Sequence, residues 1–408
     1  MLKPERRTRG DLLAAAAIAA VVLLFISFFW WRSSARSTVI RSADSPAPTV
    51  VAAKEVPDGL KQTWTAASPR TRAPLISGGT VVTGDGVTMA GLDSQTGTQR
   101  WSYARDRELC AVSYIYDLAV AVYPDRRGCG QVSGIKAATG ARGPTRTSYA
   151  DKQVVVSSDG NSVLSYGPTR LELWRSDLVR SLSYGEIDAR IKPVNTAVGE
   201  GCVLMSAAAS DVAASVLESC KDAKDLRLTL LKPAKEEDEP DSKRITLPGM
   251  AADSDARVLA VIGTSTAVYL PTPRPVVAVY DETGTRVSET PLTVPAALGG
   301  GVPAVTRAGD LLTWWTGSAV MVFSDKLAHR YTIEADGPRA PVGPATVMAG
   351  SLLVPVAEGL LVCNRADGAF QKLIALTHPP GIGAVVPAVS GPTVIEQRGP
   401  ALSAFAAG

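Results

Sequence analysis

The chain has 408 residues, 46% of them hydrophobic and 20% charged, with 36 Gly and 28 Pro; this is the balance of a folded chain rich in turns and excludes a wholly disordered one. The formal net charge is +3, and its surplus sits at the N-terminal end, where Lys3, Arg6, Arg7, Arg9, Arg32, Arg36 and Arg41 stand against Glu5, Asp11 and Asp44, so that residues 45–408 carry −1. Nucleic-acid binding needs a basic stripe on the folded part, so no nucleic-acid partner is expected.

After a short charged tail, residues 1–11, comes a run without a charge, residues 12–31, in which Ser27 is the only polar side chain. At 1.5 Å per residue it makes about 30 Å of helix, the thickness of a bilayer's hydrocarbon core, and it is expected to cross a membrane once. Phe28, Phe29, Trp30 and Trp31 close it as an interfacial aromatic belt, and Lys3, Arg6, Arg7 and Arg9 favour a cytoplasmic N-terminus, although Arg32, Arg36 and Arg41 weaken that asymmetry. The alternative is a cleaved signal peptide, whose apolar run spans about 7–15 residues and ends at a small-residue site; the run here is longer. Residues 32–59, rich in Ser, Ala, Pro and Val without helical period, read as a flexible, extended stalk.

Beyond the stalk, short β-rich runs recur between Gly, Pro, Asp and Asn. The clearest unit is a strand, the turn Asp93-Ser94-Gln95-Thr96-Gly97, and a second strand carrying Trp101. Asp93 is placed to bond the backbone two residues on, and Gly97 supplies a positive φ. Related turns end at Gly140, at Gly284 after Asp281, and at Gly368; weaker copies end near Leu178, Lys235 and Leu327, and Gly408 completes the series. The successive spacings are 43, 38, 57, 49, 43, 41 and 40 residues. A period of about 40–50 residues holding four short strands is that of a β-propeller blade. The longest spacings flank residues 232–244 (KPAKEEDEPDSKR), a charged insertion expected as a solvated loop. At Gly408 the last repeat lacks its Trp-bearing strand, and Gln62-Thr63-Trp64-Thr65 matches Gln99-Arg100-Trp101-Ser102, so the first strand is expected to complete the last blade and close the ring. Residues 60–408 are therefore expected to be an all-β, eight-bladed propeller of four-stranded blades, with seven blades as the alternative.

The unit around residues 92–101 resembles the repeats of PQQ-like β-propellers, the group that includes quinoprotein alcohol dehydrogenases and the outer-membrane assembly scaffold BamB. The likeness covers residues 60–408 and rests on the blade turns, which specify a fold rather than an activity. The Ala-rich composition, single anchor and Cys pattern also resemble membrane-anchored propeller proteins of actinobacteria.

Of the five cysteines, Cys110 opens the first strand of a blade and Cys129 follows its second, while Cys202 and Cys220 hold the same places in another blade. The start of one hairpin strand lies beside the end of the next, so disulfides Cys110–Cys129 and Cys202–Cys220 are expected, the alternative being buried free thiols. Disulfides belong outside the cytoplasm, which places the propeller on the extracytoplasmic side of the plasma membrane. Cys363, in an apolar strand, is expected as a core thiol.

His329 and His378 are the only histidines and read as exposed loop residues, so neither a multi-histidine metal site nor a catalytic triad is expected. The adjacent Cys-Cys pair that stacks on the quinone in many quinoproteins is absent, which leaves a quinoprotein-type dehydrogenase as a remote alternative. The leading expectation is a non-catalytic, cofactor-free, membrane-anchored scaffold for cell-envelope or membrane-protein assembly, with a protein partner. The second is that the propeller funnel binds an envelope lipid or glycan precursor and supports its transport.

Overall fold

The structure, a computed structural model, describes residues 8–33, 36–186, 199, 201–298, 301–334, 336–376 and 383–408. His378 and residues 1–7 of the tail lie outside the described residues. One helix, Arg9–Arg32, precedes the strands. The Thr8 hydroxyl accepts the Asp11 amide at 3.2 Å, and the Asp11 carboxylate accepts the Thr8 amide at 2.7 Å. This reciprocal capping box satisfies two donors that the helix itself leaves open. The helix is long and apolar enough to cross a membrane, and none of its residues is buried within the protein.

Among the described residues the strands form eight antiparallel sheets. Blade 1 spans Leu75–Ser77, Thr80–Asp85, Thr88–Asp93 and Gln99–Ala104; blades 2 to 7 repeat the pattern over residues 111–147, 155–185, 202–246, 257–291, 304–333 and 346–375. Blade 8 takes Val385–Ser390, Thr393–Arg398 and Ala401–Ala407 from the end of the chain and Leu60–Ala67 from its beginning. Leu60 pairs with Ala407 and Ala67 with Ala401, so the expected closure is present and the ring has eight blades, not seven. The second and third strands of each blade are covered on both sides, which is why they read as unbroken apolar runs such as Leu118–Asp125 and Val276–Tyr280. Some fourth strands face water and are polar, as in Asp241–Thr246, whereas Arg180–Gly185 of blade 3 is mostly buried.

The core is divided among the blade interfaces. Eight clusters of buried side chains each join two neighbouring blades, for example Val82, Met89 and Trp101 of blade 1 with Ala121, Tyr123 and Ile135 of blade 2. Trp64, on the closing strand, packs with Ile395, Leu402 and Ala404 of its own blade and Val81 and Leu92 of blade 1.

Three expectations need correction. The segment expected as a free stalk is docked on the ring: Val39–Arg41 pairs antiparallel with Gln99–Ala104 as a fifth, outermost strand of blade 1. The chain then crosses the face, where the Ala43 and Ala47 amides donate to Thr139 and Ala138, Arg100 donates to Ser45 and Pro46, and Lys372 reaches Val56 O and Asp58. Backbone pairing at an open sheet edge needs no apolar period, so composition alone conceals it. The charged insertion is likewise partly anchored: Glu237 O accepts the Ser183 amide of blade 3 at 2.7 Å, and its carboxylate pairs with Arg180. His329 is exposed as expected but opens a strand, His329–Ile333, with its ring against Phe323.

Candidate functional site

Each blade has two kinds of rim. The turns between its first and second and between its third and fourth strands lie on one face, called here the hairpin face. The turns between second and third strands and the connections to the next blade lie on the other, the connection face.

The predicted turn residues occupy the hairpin face and join neighbouring blades. The Asp93 carboxylate accepts the amides of Gln95 and Thr96 at 3.0 and 3.1 Å, and Asp281 accepts those of Thr283 and Thr285, both at 2.9 Å. Gly97 has φ +69°, and a Cβ there would stand 2.6 Å from the Trp64 ring of blade 8; Gly140, with φ +74°, stands in the same relation to the Trp101 ring of blade 1, at 2.8 Å. The indole Nε1 of Trp64 donates to Ser94 O at 3.1 Å and that of Trp101 to Ala137 O at 2.6 Å. The aromatic ring of one blade thus caps the turn of the next. Gly284 meets Ile245 and Gly368 meets Tyr331 in equivalent places, without Trp. These residues build the ring, and none of them lines the central channel.

Both expected disulfides, Cys110–Cys129 and Cys202–Cys220, are present. The second lies beside Glu218 in a group of potential metal ligands. Its sulfurs are bonded to one another and offer no thiolate. Arg227 instead donates to Glu218 at 2.9 Å and to the sulfurs of Cys220 and Cys202 at 2.8 and 3.1 Å. Cys363 is a buried free thiol, and burial pushes its pKa up to about 11.

Sequence reasoning missed a buried charge centre in blade 3. The Glu172 carboxylate receives Arg146 at 2.9 Å, Arg170 at 2.6 Å, Arg180 at 3.1 Å, the Trp174 indole at 2.9 Å and Ser148 at 3.1 Å. Burial alone raises a carboxyl pKa, but the three guanidinium groups outweigh it and hold Glu172 below the ordinary glutamate value. A glutamate inside the apolar run Arg170–Trp174 is the sequence signal for such a centre.

Among the described residues a central channel of about 840 Å³ is walled by the first strands of all eight blades. Its wall is mostly small and apolar, including Ala207, Ala208, Ala209, Val258, Val305 and Val386. Three charged side chains interrupt it. Arg72 stands at the connection-face end; Asp159 and Arg307 stand at the hairpin-face end, where Arg307 donates to Val261 O at 3.0 Å. Burial raises the pKa of the nearby Tyr114 phenol, the Asp159 charge adds to the rise, and Arg307 opposes it. Each blade contributes one short strand to this wall, so no local stretch of sequence announces it.

No family model and no curated protein matches the chain. Solved structures similar to it include BamB from Moraxella catarrhalis, at 15% identity over 85% of this chain and 99% of that one with a TM-score of 0.49. Sqt1 from Saccharomyces cerevisiae is 10% identical over 89% and 98%, with a TM-score of 0.51. The dihydro-heme d1 dehydrogenase NirN in complex with DHE is 18% identical over 86% and 75%, with a TM-score of 0.46. At such identities the likeness is one of fold.

Proposed function

We propose that the chain is a non-catalytic, membrane-anchored propeller that serves as a protein-interaction scaffold in cell-envelope or membrane-complex assembly. The observation that carries this reading is the docked N-terminal segment: the chain passes from the apolar helix into blade 1 and then closes blade 8, so a rigid ring with two loop-bearing faces is held close to the helix. The two disulfides favour an oxidising compartment and hence a cytoplasmic N-terminus with the propeller outside the plasma membrane. The non-catalytic part is supported by how the buried carboxylates are used: Glu172, Glu218 and Glu396 are each paired with arginine inside or between blades rather than turned to the channel.

A second reading rests on the channel, whose apolar wall with Arg72 and Arg307 suits an amphipathic anion such as an envelope lipid or glycan precursor. Purification of the full chain from native membranes in mild detergent, with mass spectrometry of proteins and lipids, separates the two. A stoichiometric protein partner, lost when residues 60–408 are deleted, is expected. A bound lipid or glycan whose amount falls in Arg72→Glu, without such a partner, transfers the assignment to the channel. A redox cofactor sinks both.

A further inference from the structure

We infer that the connection face of the propeller lies on the surface of the bilayer that holds the helix. This rests on the reading of Arg9–Arg32 as a membrane anchor. Only residues 33–38 separate the helix from the docked strand Val39–Arg41, a contour of at most about 25 Å. Part of that length is taken up near the helix end. The Ser33 and Arg36 amides donate back to Trp30 O and Ser33 O, and the Arg36 guanidinium sits 3.8 Å from the centre of the Trp31 ring. The entry point also has a side. Val39 pairs with Ala104, the last residue of its strand before the connection to blade 2, so the tether meets the ring at the connection face.

The far side of the same face carries the second observation. Across the eight-bladed ring from blade 1, the connection from blade 5 to blade 6, residues 291–303 (PLTVPAALGGGVP), contains no charged residue. Val294 is 59% and Val302 42% exposed there, beside exposed Pro291, Pro295 and Ala297. Leu292, Ala296 and Leu298 of the same connection pack into the core between blades 5 and 6, which fixes the exposed Val294, Pro295 and Ala297 as an apolar patch that a membrane interface would cover. Near the tether the same face presents Arg105, Arg107, Arg126 and Arg127 against Asp106, Glu108 and Asp125, a balance compatible with anionic headgroups. The two contact points lie on opposite sides of the channel, so this pose turns the Arg72 mouth towards the lipid and leaves the hairpin face, with its Asp and Thr turns, to the aqueous side.

The test uses the full chain in vesicles of phosphatidylglycerol and phosphatidylcholine in equal parts. Val294→Cys on the connection face and Val212→Cys on the hairpin face are each labelled with an environment-sensitive fluorophore and challenged with spin-labelled lipid. Pro295→Cys serves as a second reporter should Val294→Cys fail to fold. Quenching several-fold stronger at 294 or 295 than at 212 is expected, and a chain floating without that difference at 295 overturns the pose as well. A chain that floats with the vesicles yet shows equal quenching, or stronger quenching at 212, overturns the pose and leaves the anchor intact. A chain that does not float refutes the anchor and the pose with it.

Discussion

Residue by residue, the chain spends its buried charge on holding blades rather than on reactive groups, and Glu172 is the place where this is most easily measured. Its side chain is 4% exposed, as is that of Arg170, while Arg146 is 12% exposed. Removing the carboxylate charge leaves Arg180 with the partly exposed Glu237, and Arg146 and Arg170 with only the backbone carbonyls of Leu178 and Glu186. Glu172→Gln is therefore expected to cost ~3–5 kcal/mol, since breaking a buried pair strands its partners, read as a shift of the denaturant midpoint at neutral pH. The pH dependence follows from the direction of the shift. The native carboxyl titrates below its unfolded value, so its contribution is complete above the ordinary glutamate range, about pH 4.3, and drains as pH falls through the native pKa. Native protein should lose stability steeply in acid, and Glu172→Gln should flatten that limb. Parallel acid limbs for the two proteins would show that Glu172 is not the titrating group.

At the scale of elements, the docked strand Val39–Arg41 matters most, because it sets the distance between ring and helix. Ile40 pairs with Tyr103 and packs half-buried against the core shared by blades 1 and 2. A charge at position 40 removes that packing and should open the segment. In Ile40→Asp, trypsin is expected to cut at Arg41 and Lys54 about tenfold faster than in the unaltered protein, equivalent to ~1.4 kcal/mol of local opening free energy, while cleavage within blades 2 to 7 is unchanged. Equal rates at Arg41 would mean that the strand contributes no protection. The same element shows where sequence reading stops. Asp93, Gly97 and Trp101 are legible because turn chemistry and ring-on-turn packing recur at a period, and the disulfides because hairpin geometry places their ends together. The docking of residues 39–58 and of Glu237 depends on backbone pairing and isolated side-chain bonds to residues distant in the chain, which leave no pattern in Ser, Ala, Pro or Glu. The channel is assembled from eight separate short strands, and Arg72 and Arg307 meet it only once the ring is closed.

For the whole molecule, closure decides whether the blades behave as a ring or as a row of sheets. Every interface cluster joins two blades, so each blade has two neighbours only while Leu60–Ala67 holds blade 8 together. A variant starting at Ser68 would lose that strand. It would expose the edge of Ala401–Ala407 and strip the Trp64 ring from Gly97 and from its cluster with Val81 and Ile395. Loss of the Trp side chain alone costs ~3–5 kcal/mol, and an open, apolar strand edge invites pairing with a second copy. The truncated protein is expected to unfold at lower denaturant and to associate with rising concentration in sedimentation velocity. A peptide covering residues 58–68, added in trans, should restore the monomer by refilling the edge, and the same peptide with Trp64→Ala should do so poorly. If the truncated protein instead stays monomeric and as stable as the full ring, blades 1 to 7 stand without the eighth and closure contributes nothing to the fold's stability.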